Sequence, residues 1–196
     1  MKKITLLLVV VLLTTNIFAQ NMASLRGGWG GSAAGGSFTA FYNGGLGFDK
    51  SLSEKASFGA GIDFLTGPSA SVGVGSTTAG LSASSSSSWL GLEPRITFYP
   101  SGVYHGFSIG SMVSFNYGMG DAQSYLTVGP KLGWTFKLAD QFRLGLESSF
   151  GYAKSFDKEI SGINLSSGNS TKYTATGGGG VFARFGLTFG YILGSK

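Results

Sequence analysis

Two neighbouring segments between residues 125 and 152 show strict alternation of apolar and polar side chains. One parity carries Leu126, Val128, Leu132, Trp134, Phe136 and Leu138, and then Phe142, Leu144, Leu146, Phe150 and Tyr152. The other parity is small, polar or charged. Because successive side chains leave opposite faces of a strand, a period of two predicts two antiparallel strands joined at residues 139–141.

The same unit recurs along the chain and predicts eight strands. They cover residues 22–31, 36–50, 55–66, 89–99, 106–118, 125–138, 142–152 and 181–193. The connections at 51–54, 100–105 and 139–141 are short, whereas the alternate set, at 33–35, 67–88, 119–122 and 153–180, includes both long ones. Outer-membrane barrels have an even number of strands, short periplasmic turns and longer outside loops. The sequence therefore predicts an all-β fold, an eight-stranded antiparallel up-and-down transmembrane β-barrel with both termini in the periplasm.

The first 19 residues have the pattern of a secretory signal peptide. Lys2 and Lys3 precede an apolar run, and Ile17-Phe18-Ala19 forms a cleavage site before Gln20. The apolar run of about ten residues is half of the roughly 20 that a membrane-spanning helix needs, which disfavours a helical anchor. We expect a signal peptide at 1–19 and a single barrel domain at 20–196.

Two long segments differ in composition from the strands. Residues 67–88 contain a Gly-Pro breaker and five consecutive serines, and residues 153–180 are polar and end in four glycines. This composition favours solvated loops. Val72, Val74 and Leu81 also fit a protruding hairpin within 67–88, and both interpretations stay open. We expect an extracellular ligand, if there is one, to bind through loops 67–88 and 153–180.

The charged residues within the predicted strands indicate which face meets lipid. They share the small-residue parity and are Asp63, Glu93, Arg95, Lys131, Arg143, Glu147 and Arg184. A shift of one residue would turn all of them towards lipid, where a Lys or Arg at the midplane costs roughly 2–4 kcal/mol. We therefore predict a packed lumen in which these seven residues form an ion-pair network. The alternative, that Glu93 with Arg95, or Arg143 with Glu147, forms a catalytic acid/base pair, is less favoured.

The aromatic residues of the strands predict two belts near the membrane interfaces. The turn-side belt would hold Phe48, Phe98, Phe136, Phe142 and Tyr191, and the loop-side belt Phe64, Tyr117, Tyr125 and Tyr152. Pro94 and Pro130 fall inside predicted strands and lack an N–H for the ladder. We expect β-bulges at these prolines, or positions near the rim.

Composition excludes several classes of function. The chain has no cysteine, 34 glycines and 12% charged residues, which rules out disulfides and thiolate metal sites. Removing Lys2 and Lys3 leaves 12 basic and 9 acidic residues, a net charge of +3 that is too small and scattered for a nucleic-acid partner. The glycine-rich stretches lack the lysine and following helix of a phosphate-binding loop. We expect no metal and no cofactor.

Four segments carry a resemblance to a known family: LEPRITFYPSG, GFSIGSMVSFNYG, VGPKLGWTFKL and FRLGLESSFGY. With them the chain resembles the small outer-membrane β-barrel family that includes the OmpA transmembrane domain, OmpX and OmpW. The resemblance implies insertion into the cell outer membrane of a Gram-negative bacterium by the outer-membrane assembly machinery, with outer-membrane lipid as surroundings. Family chains commonly end on an aromatic residue, whereas here five residues follow Tyr191.

Three functions fit a barrel of this kind. The favoured hypothesis is a structural or surface-interaction role with a polar, largely packed lumen. The second is a passive, porin-like channel for small or hydrophobic solutes, which the resemblance to OmpW suggests. The third, a lipid-modifying enzyme, is least favoured. The one histidine, His105, lies in a predicted turn with no acid beside it in sequence, and a catalytic triad needs converging partners. We therefore expect no enzymatic activity.

Overall fold

The computed structural model describes residues 20–34, 37–75, 78–163 and 170–194. The strands are β1 Asn21–Ala34, β2 Ser37–Ser51, β3 Ala56–Gly75, β4 Thr78–Phe98, β5 Gly106–Gly118, β6 Tyr125–Lys137, β7 Phe142–Ser155, β8 Lys158–Ile163, β9 Ser170–Ala175 and β10 Gly179–Leu193. The predicted signal peptide at 1–19 lies outside the described residues. No helix among the described residues is long and apolar enough to cross a membrane.

Eight of the strands close into an antiparallel barrel, which confirms the predicted fold. The order around the barrel is β1-β10-β7-β6-β5-β4-β3-β2, and β8 and β9 form a separate two-stranded sheet. Each barrel strand therefore pairs with its neighbours in sequence, apart from the β8–β9 insertion before β10. Closure occurs where β1 pairs with β10, from Asn21↔Leu193 to Ala33↔Val181.

The connections sort to two ends of the barrel. The end with the connections 52–55, 99–105 and 138–141, together with Gln20 and Leu193, is called the turn side. The opposite end, with residues 119–124, 156–163 and 170–178 and the connections of β1 to β2 and β3 to β4, is called the loop side. The predicted sorting by length is confirmed only in part: the longest connection, between β7 and β10, is on the loop side, but only residues 35–36 and 76–77 separate β1 from β2 and β3 from β4 there.

Large apolar side chains cover the outside of the barrel. On β5, for example, Phe107, Ile109, Val113, Phe115 and Tyr117 are exposed, together with Ser111 of the same parity, while the residues of the opposite parity are buried or half-buried. The stretch from Phe107 to Tyr117 spans about 33 Å along the strand at about 3.3 Å per residue. A strand tilt of about 40° reduces this to roughly 25 Å along the axis, the height of the apolar band of outer-membrane barrels. The outer surface therefore matches lipid in both chemistry and height.

Both long segments contain more strand than the loop interpretation predicts. β3 and β4 stay paired as far as Gly75↔Thr78, so residues 67–75 and 78–88 form the arms of an extended hairpin, the alternative that Val72, Val74 and Leu81 fitted. Within 153–180, β7 continues to Ser155, β8 pairs with β9, and β10 begins at Gly179, so the purely loop-like prediction for this segment is wrong. These strands are held by backbone pairing and lack a continuous alternating apolar face. Hydrophobic periodicity in the sequence therefore does not detect them.

The predicted aromatic belts are present apart from one residue. The exposed members are Phe48, Phe98, Phe136, Phe142 and Tyr191 towards the turn side, and Phe64, Tyr117 and Tyr152 towards the loop side. Tyr125 is the exception, because it shares the inward parity of β6 and packs edge-on against Trp89 inside the barrel, with ring centroids 5.7 Å apart. Its assignment to the loop-side belt is wrong.

The prolines interrupt the strand ladder without a bulge. Pro94 keeps its partner Ala60 on β3, but the register with β5 skips residues 93 and 94 and resumes unchanged. Pro130 likewise keeps Ser111 on β5, while the register with β7 skips residues 129 and 130. Both prolines point outwards within their strands, so the expected bulges or rim positions are wrong. Each missing N–H affects pairing with one neighbouring strand only.

Inward glycines allow adjacent strands to approach closely. An added Cβ at Gly151 would lie 2.2 Å from the Val128 carbonyl oxygen and 2.8 Å from the Gly129 Cα. Neither atom belongs to a flexible side chain, so a methyl group requires the backbone to shift.

We predict that Gly151→Ala lowers the free energy of unfolding by about 1–3 kcal/mol, the usual range for overpacking. The measurement is urea unfolding of the refolded protein in lipid vesicles. Gly178→Ala is the control, because nothing lies within 4 Å of its added Cβ. Equal stability of the two variants would contradict the close approach of β6 and β7.

Candidate functional site: a closed ionic lumen

Eight charged side chains meet inside the barrel, and we call them the ionic cluster. Its members are Arg26 on β1, Asp49 on β2, Asp63 on β3, Glu93 and Arg95 on β4, Lys131 on β6, Glu147 on β7 and Arg184 on β10. All of them occupy inward positions, because the outward positions of the same strands carry large apolar residues. Seven of the eight barrel strands thereby contribute to one polar centre.

Glu93 lies at the middle of the ionic cluster and is fully buried. Its Oε1 accepts a hydrogen bond from Arg26 Nη2 at 2.6 Å, and its Oε2 accepts one from Arg184 Nη2. Arg95 Nη1 lies 3.7 Å from Oε1. One carboxylate is therefore surrounded by three guanidinium groups on three strands, which ties β1, β4 and β10 together across the lumen.

Asp63 completes the inner part of the cluster. Its Oδ2 lies 3.3 Å from Arg26 Nη1 and 3.6 Å from Arg184 Nη1. Both arginines therefore bridge Asp63 and Glu93. Because a buried charge is costly unless it is paired and hydrogen-bonded, this shared pairing is what allows the cluster to remain inside the barrel.

Two further pairs extend the cluster towards the wall. Arg95 binds Asp49 through two parallel contacts, Nε to Oδ1 at 2.9 Å and Nη2 to Oδ2. Lys131 Nζ contacts Glu147 Oε2 at 2.8 Å. The four cations and four carboxylates balance, so the cluster has no net charge, and it stabilises the barrel rather than presenting a strong field to solvent.

The structure brings together six of the seven residues predicted for the ion-pair network. Arg143 is the exception: its Nε donates to the Tyr104 carbonyl at 3.1 Å, and its Nη1 donates to the Ala139 carbonyl at 2.7 Å. As the second residue of β7 it lies at the turn side, where free carbonyls satisfy its guanidinium. Its predicted place in the network is wrong.

Sequence reasoning missed Arg26 and Asp49, although a signal for both was present. Arg26 follows Leu25 in a weak, glycine-rich strand, and Asp49 follows Phe48 near the end of β2. Both lie on the inward parity, where a charge needs a partner. The seven predicted residues comprised four cations and three carboxylates, whereas the eight residues of the ionic cluster comprise four of each.

An apolar cluster closes the turn side of the lumen. It consists of Met22, Tyr99, Tyr104 and Ile192, with Val103 packed against it. Tyr104 is fully buried and adopts a left-handed φ of 58°, between Gly102 and Gly106, which also have positive φ. Burial, together with the negative charge of Asp49, raises the pKa of the Tyr104 phenol above its usual value. His105, by contrast, is exposed in this turn.

A second apolar cluster closes the loop side. Phe41, Leu65, Trp89 and Ala122 pack together there, with Tyr125 against them. Trp89 Nε1 donates to the Gln123 carbonyl at 2.9 Å, which fixes residues 119–124 over the mouth. These large inward side chains depart from the predicted rule that only small or charged groups face the axis. They lie at the ends of the lumen, and the charges lie between them.

Among the described residues, small cavities remain between these layers, including three that share lining residues. The volume within which a water-sized sphere can be centred is about 20 Å³ in the cavity beside Asp49 and Arg95, and about 10 Å³ in each of the other two. Lys131, Glu147 and Thr188 line both of the first two cavities, and Arg184 lines both the second and the third. Such volumes have room for one water-sized occupant each.

Comparisons with known proteins support the fold. No family model matches the chain, and no curated protein matches it. The crystal structure of the outer membrane protein OprG from Pseudomonas aeruginosa is similar to the chain, with 14% identity and a TM-score of 0.58, over 90% of this chain and 97% of that one. The chain thus has the fold of an outer-membrane β-barrel, and its apolar outer surface fits a location in the cell outer membrane.

Two other solved structures overlap much more loosely. The outer membrane protease OmpT from Escherichia coli is 8% identical with a TM-score of 0.29, over 89% of this chain and 96% of that one. An outer membrane channel from Pseudomonas putida F1 is 10% identical with a TM-score of 0.25, over 89% of this chain and 95% of that one. At these TM-scores neither activity bears on the present chain.

Proposed function

We propose that the protein is an integral outer-membrane β-barrel with a structural or surface-interaction role and a closed lumen. The observation that carries this proposal is the filling of the lumen: an ionic cluster in the middle and an apolar cluster at each end. The cavities left between them have room for single water-sized occupants and not for larger solutes. Outer-membrane lipid surrounds the barrel, and the outer-membrane assembly machinery inserts it, as the resemblance to OmpA and OmpX suggests.

The loop side provides the surface for contacts with other molecules. The β8–β9 hairpin is anchored at its base, where Lys158 Nζ donates to the carbonyls of Gly120 and Ala122. Asp157 Oδ1 accepts a hydrogen bond from the Gly177 N–H at 2.6 Å. These anchors hold the hairpin on the loop that closes the lumen. A fixed hairpin loses little conformational entropy on binding, which suits recognition of an extracellular ligand.

The second candidate is a passive channel for small or hydrophobic solutes. The three cavities favour it, because they follow one another along the lumen and share lining residues. Conduction would require movement of the Lys131–Glu147 pair, which stands between the first two cavities, and of both apolar clusters. We rank this function second because it needs several groups to move together.

Single-channel recording in planar bilayers separates the two functions. We expect the refolded protein to give no discrete current steps. Steps in the unmodified protein that disappear in Gly145→Trp would contradict the closed lumen, since Gly145 lines the first cavity. Gly178→Trp is the matched control, because Gly178 has open space around it and lies outside the lumen.

The proposed role is not enzymatic. His105 lies exposed in a turn, next to the buried Tyr104, rather than in a cleft that could hold a lipid. A lipid-hydrolysis assay on the refolded protein and on His105→Ala tests this point. A hydrolytic activity that is lost in the variant would revive the enzyme hypothesis.

A further inference from the structure

We propose that the lumen contains a binding site for a single small inorganic anion, of the size and charge of a halide. The site is the cavity lined by Arg26, Lys131, Glu147, Ser149, Arg184 and Thr188, and we call it the anion pocket. This inference goes beyond the proposed function and does not depend on it, because it concerns the interior of the barrel and not its surface contacts.

The strand register places two cations on either side of a serine. Lys131 on β6 is directly opposite Ser149 on β7, and Ser149 is directly opposite Arg184 on β10. Adjacent strands are about 4.8 Å apart, so the two cationic residues stand about 10 Å apart with the hydroxyl between them. An anion above Ser149 would be attracted by both.

Laterally paired residues of adjacent strands form rows across the barrel wall, and the rows next to that of Ser149 leave the space that the anion would fill. Glu147 lies between Gly133 and Gly186 on the flanking strands, so no side chain stands beside it in that row. In the row beyond it, Thr188 pairs with Arg26 of β1. Two rows of side chains, with glycines between them, thus enclose a polar space at the wall of the barrel.

Several buried polar groups face this space without a partner among the described residues. Ser149 and Thr188 are 3% and 5% exposed, and neither hydroxyl has a hydrogen-bond partner there. Lys131 has three N–H donors and contacts one described carboxylate oxygen, that of Glu147. Buried polar groups are rarely left unsatisfied, so an occupant that accepts hydrogen bonds is required.

The charge of the lining favours an anion over a water molecule. Three cations and one carboxylate line the pocket, whereas Asp63 and Glu93 lie on the far side of the arginines. Asn43 Oδ1, which also lines the pocket, has no described partner, so a water could donate to it and to Glu147, whereas a halide would be held by the N–H and O–H donors alone. The volume, about 10 Å³ for the centre of a water-sized sphere, has room for one such occupant and excludes sulfate or a carboxylic acid.

Anomalous diffraction from crystals grown in sodium bromide tests the site directly. We expect one bromide peak between Lys131, Ser149 and Arg184, and no peak there in Ser149→Ala. Ser24→Ala is the matched control and should keep the peak, because Ser24 is also a buried serine without a described partner but does not line the pocket. A water at the site without anomalous signal, or a peak that persists in Ser149→Ala, would overturn the proposal.

A measurement in solution gives the same answer without crystals. Bromide replaces gluconate at constant ionic strength while the folding equilibrium of the refolded protein is followed in vesicles. At a bromide concentration ten times the dissociation constant, the folded-to-unfolded ratio should rise about tenfold. Thr188→Val should abolish this rise, and serves also if Ser149→Ala does not fold. Equal stability in the two salts for the unmodified protein would contradict a bound anion.

Discussion

Glu93→Gln should lower the free energy of unfolding by about 3–5 kcal/mol, the cost of removing one partner from a buried ion pair. Glu93 is 0% exposed and pairs with Arg26, Arg95 and Arg184. The glutamine keeps the size of the side chain but removes its charge, so three buried guanidinium groups lose a shared counter-ion. Urea unfolding of the refolded protein in lipid vesicles, followed by tryptophan fluorescence, measures the change.

The control for this variant is an ion pair outside the barrel wall. Lys137 Nζ lies 2.7 Å from Asp140 Oδ1 on the turn side, with the Asp140 side chain 95% exposed. The hydrogen bond from Lys137 lowers the pKa of the Asp140 carboxyl, but exposed pairs contribute little to stability. Asp140→Asn should therefore unfold like the unmodified protein. An equally small effect for Glu93→Gln would show that the ionic cluster does not stabilise the barrel.

Leu92→Arg should cost roughly 2–4 kcal/mol in a bilayer, the penalty for a cation at the midplane on the lipid face. Leu92 is 53% exposed on the outer wall, and its neighbours across the flanking strands are Ile62 and Phe115. In a water-soluble barrel the same change would place a charge in solvent and cost little. The measurement is again urea unfolding in vesicles.

The matched control moves the same substitution to the rim. Leu138 is 57% exposed at the start of the turn 138–141. Leu138→Arg should cost about 0–1 kcal/mol, because the penalty falls towards the interface. If both variants lost the same stability, or neither lost any, the outer face of β4 would not be in contact with lipid.

The strands, and the direction in which their side chains point, could be predicted from the sequence. Lipid requires large apolar side chains outside, and a narrow lumen requires small or charged side chains inside, so the two kinds alternate along each strand. Asp63, Glu93, Arg95, Lys131, Glu147 and Arg184 could be assigned to the interior for that reason. The β8–β9 hairpin could not be predicted in the same way. It lies beyond the barrel strands, where neither demand applies and no apolar alternation develops.

The closure of the lumen was the part that alternation could not reveal. Met22, Phe41, Leu65, Phe182 and Ile192 are large apolar residues on the inward parity, and single exceptions of this kind look like noise in a periodic pattern. Only the three-dimensional register shows that they gather at the ends or pack against Met112. The partners of Arg143 were hidden for a related reason, because backbone carbonyls of a turn leave no trace in side-chain periodicity.

Site-directed spin labelling of β5 tests most directly whether the apolar outer wall faces lipid and the interior is packed. The chain has no cysteine, so single cysteines can be introduced and labelled at successive positions from Gly106 to Gly118. In vesicles, we expect labels at Ile109 and Val113 to collide with oxygen dissolved in lipid and not with a water-soluble nickel complex. Labels at Ser108 and Ser114 should be shielded from both. Nickel contact at Ile109 and Val113, or no alternation along the strand, would contradict the account.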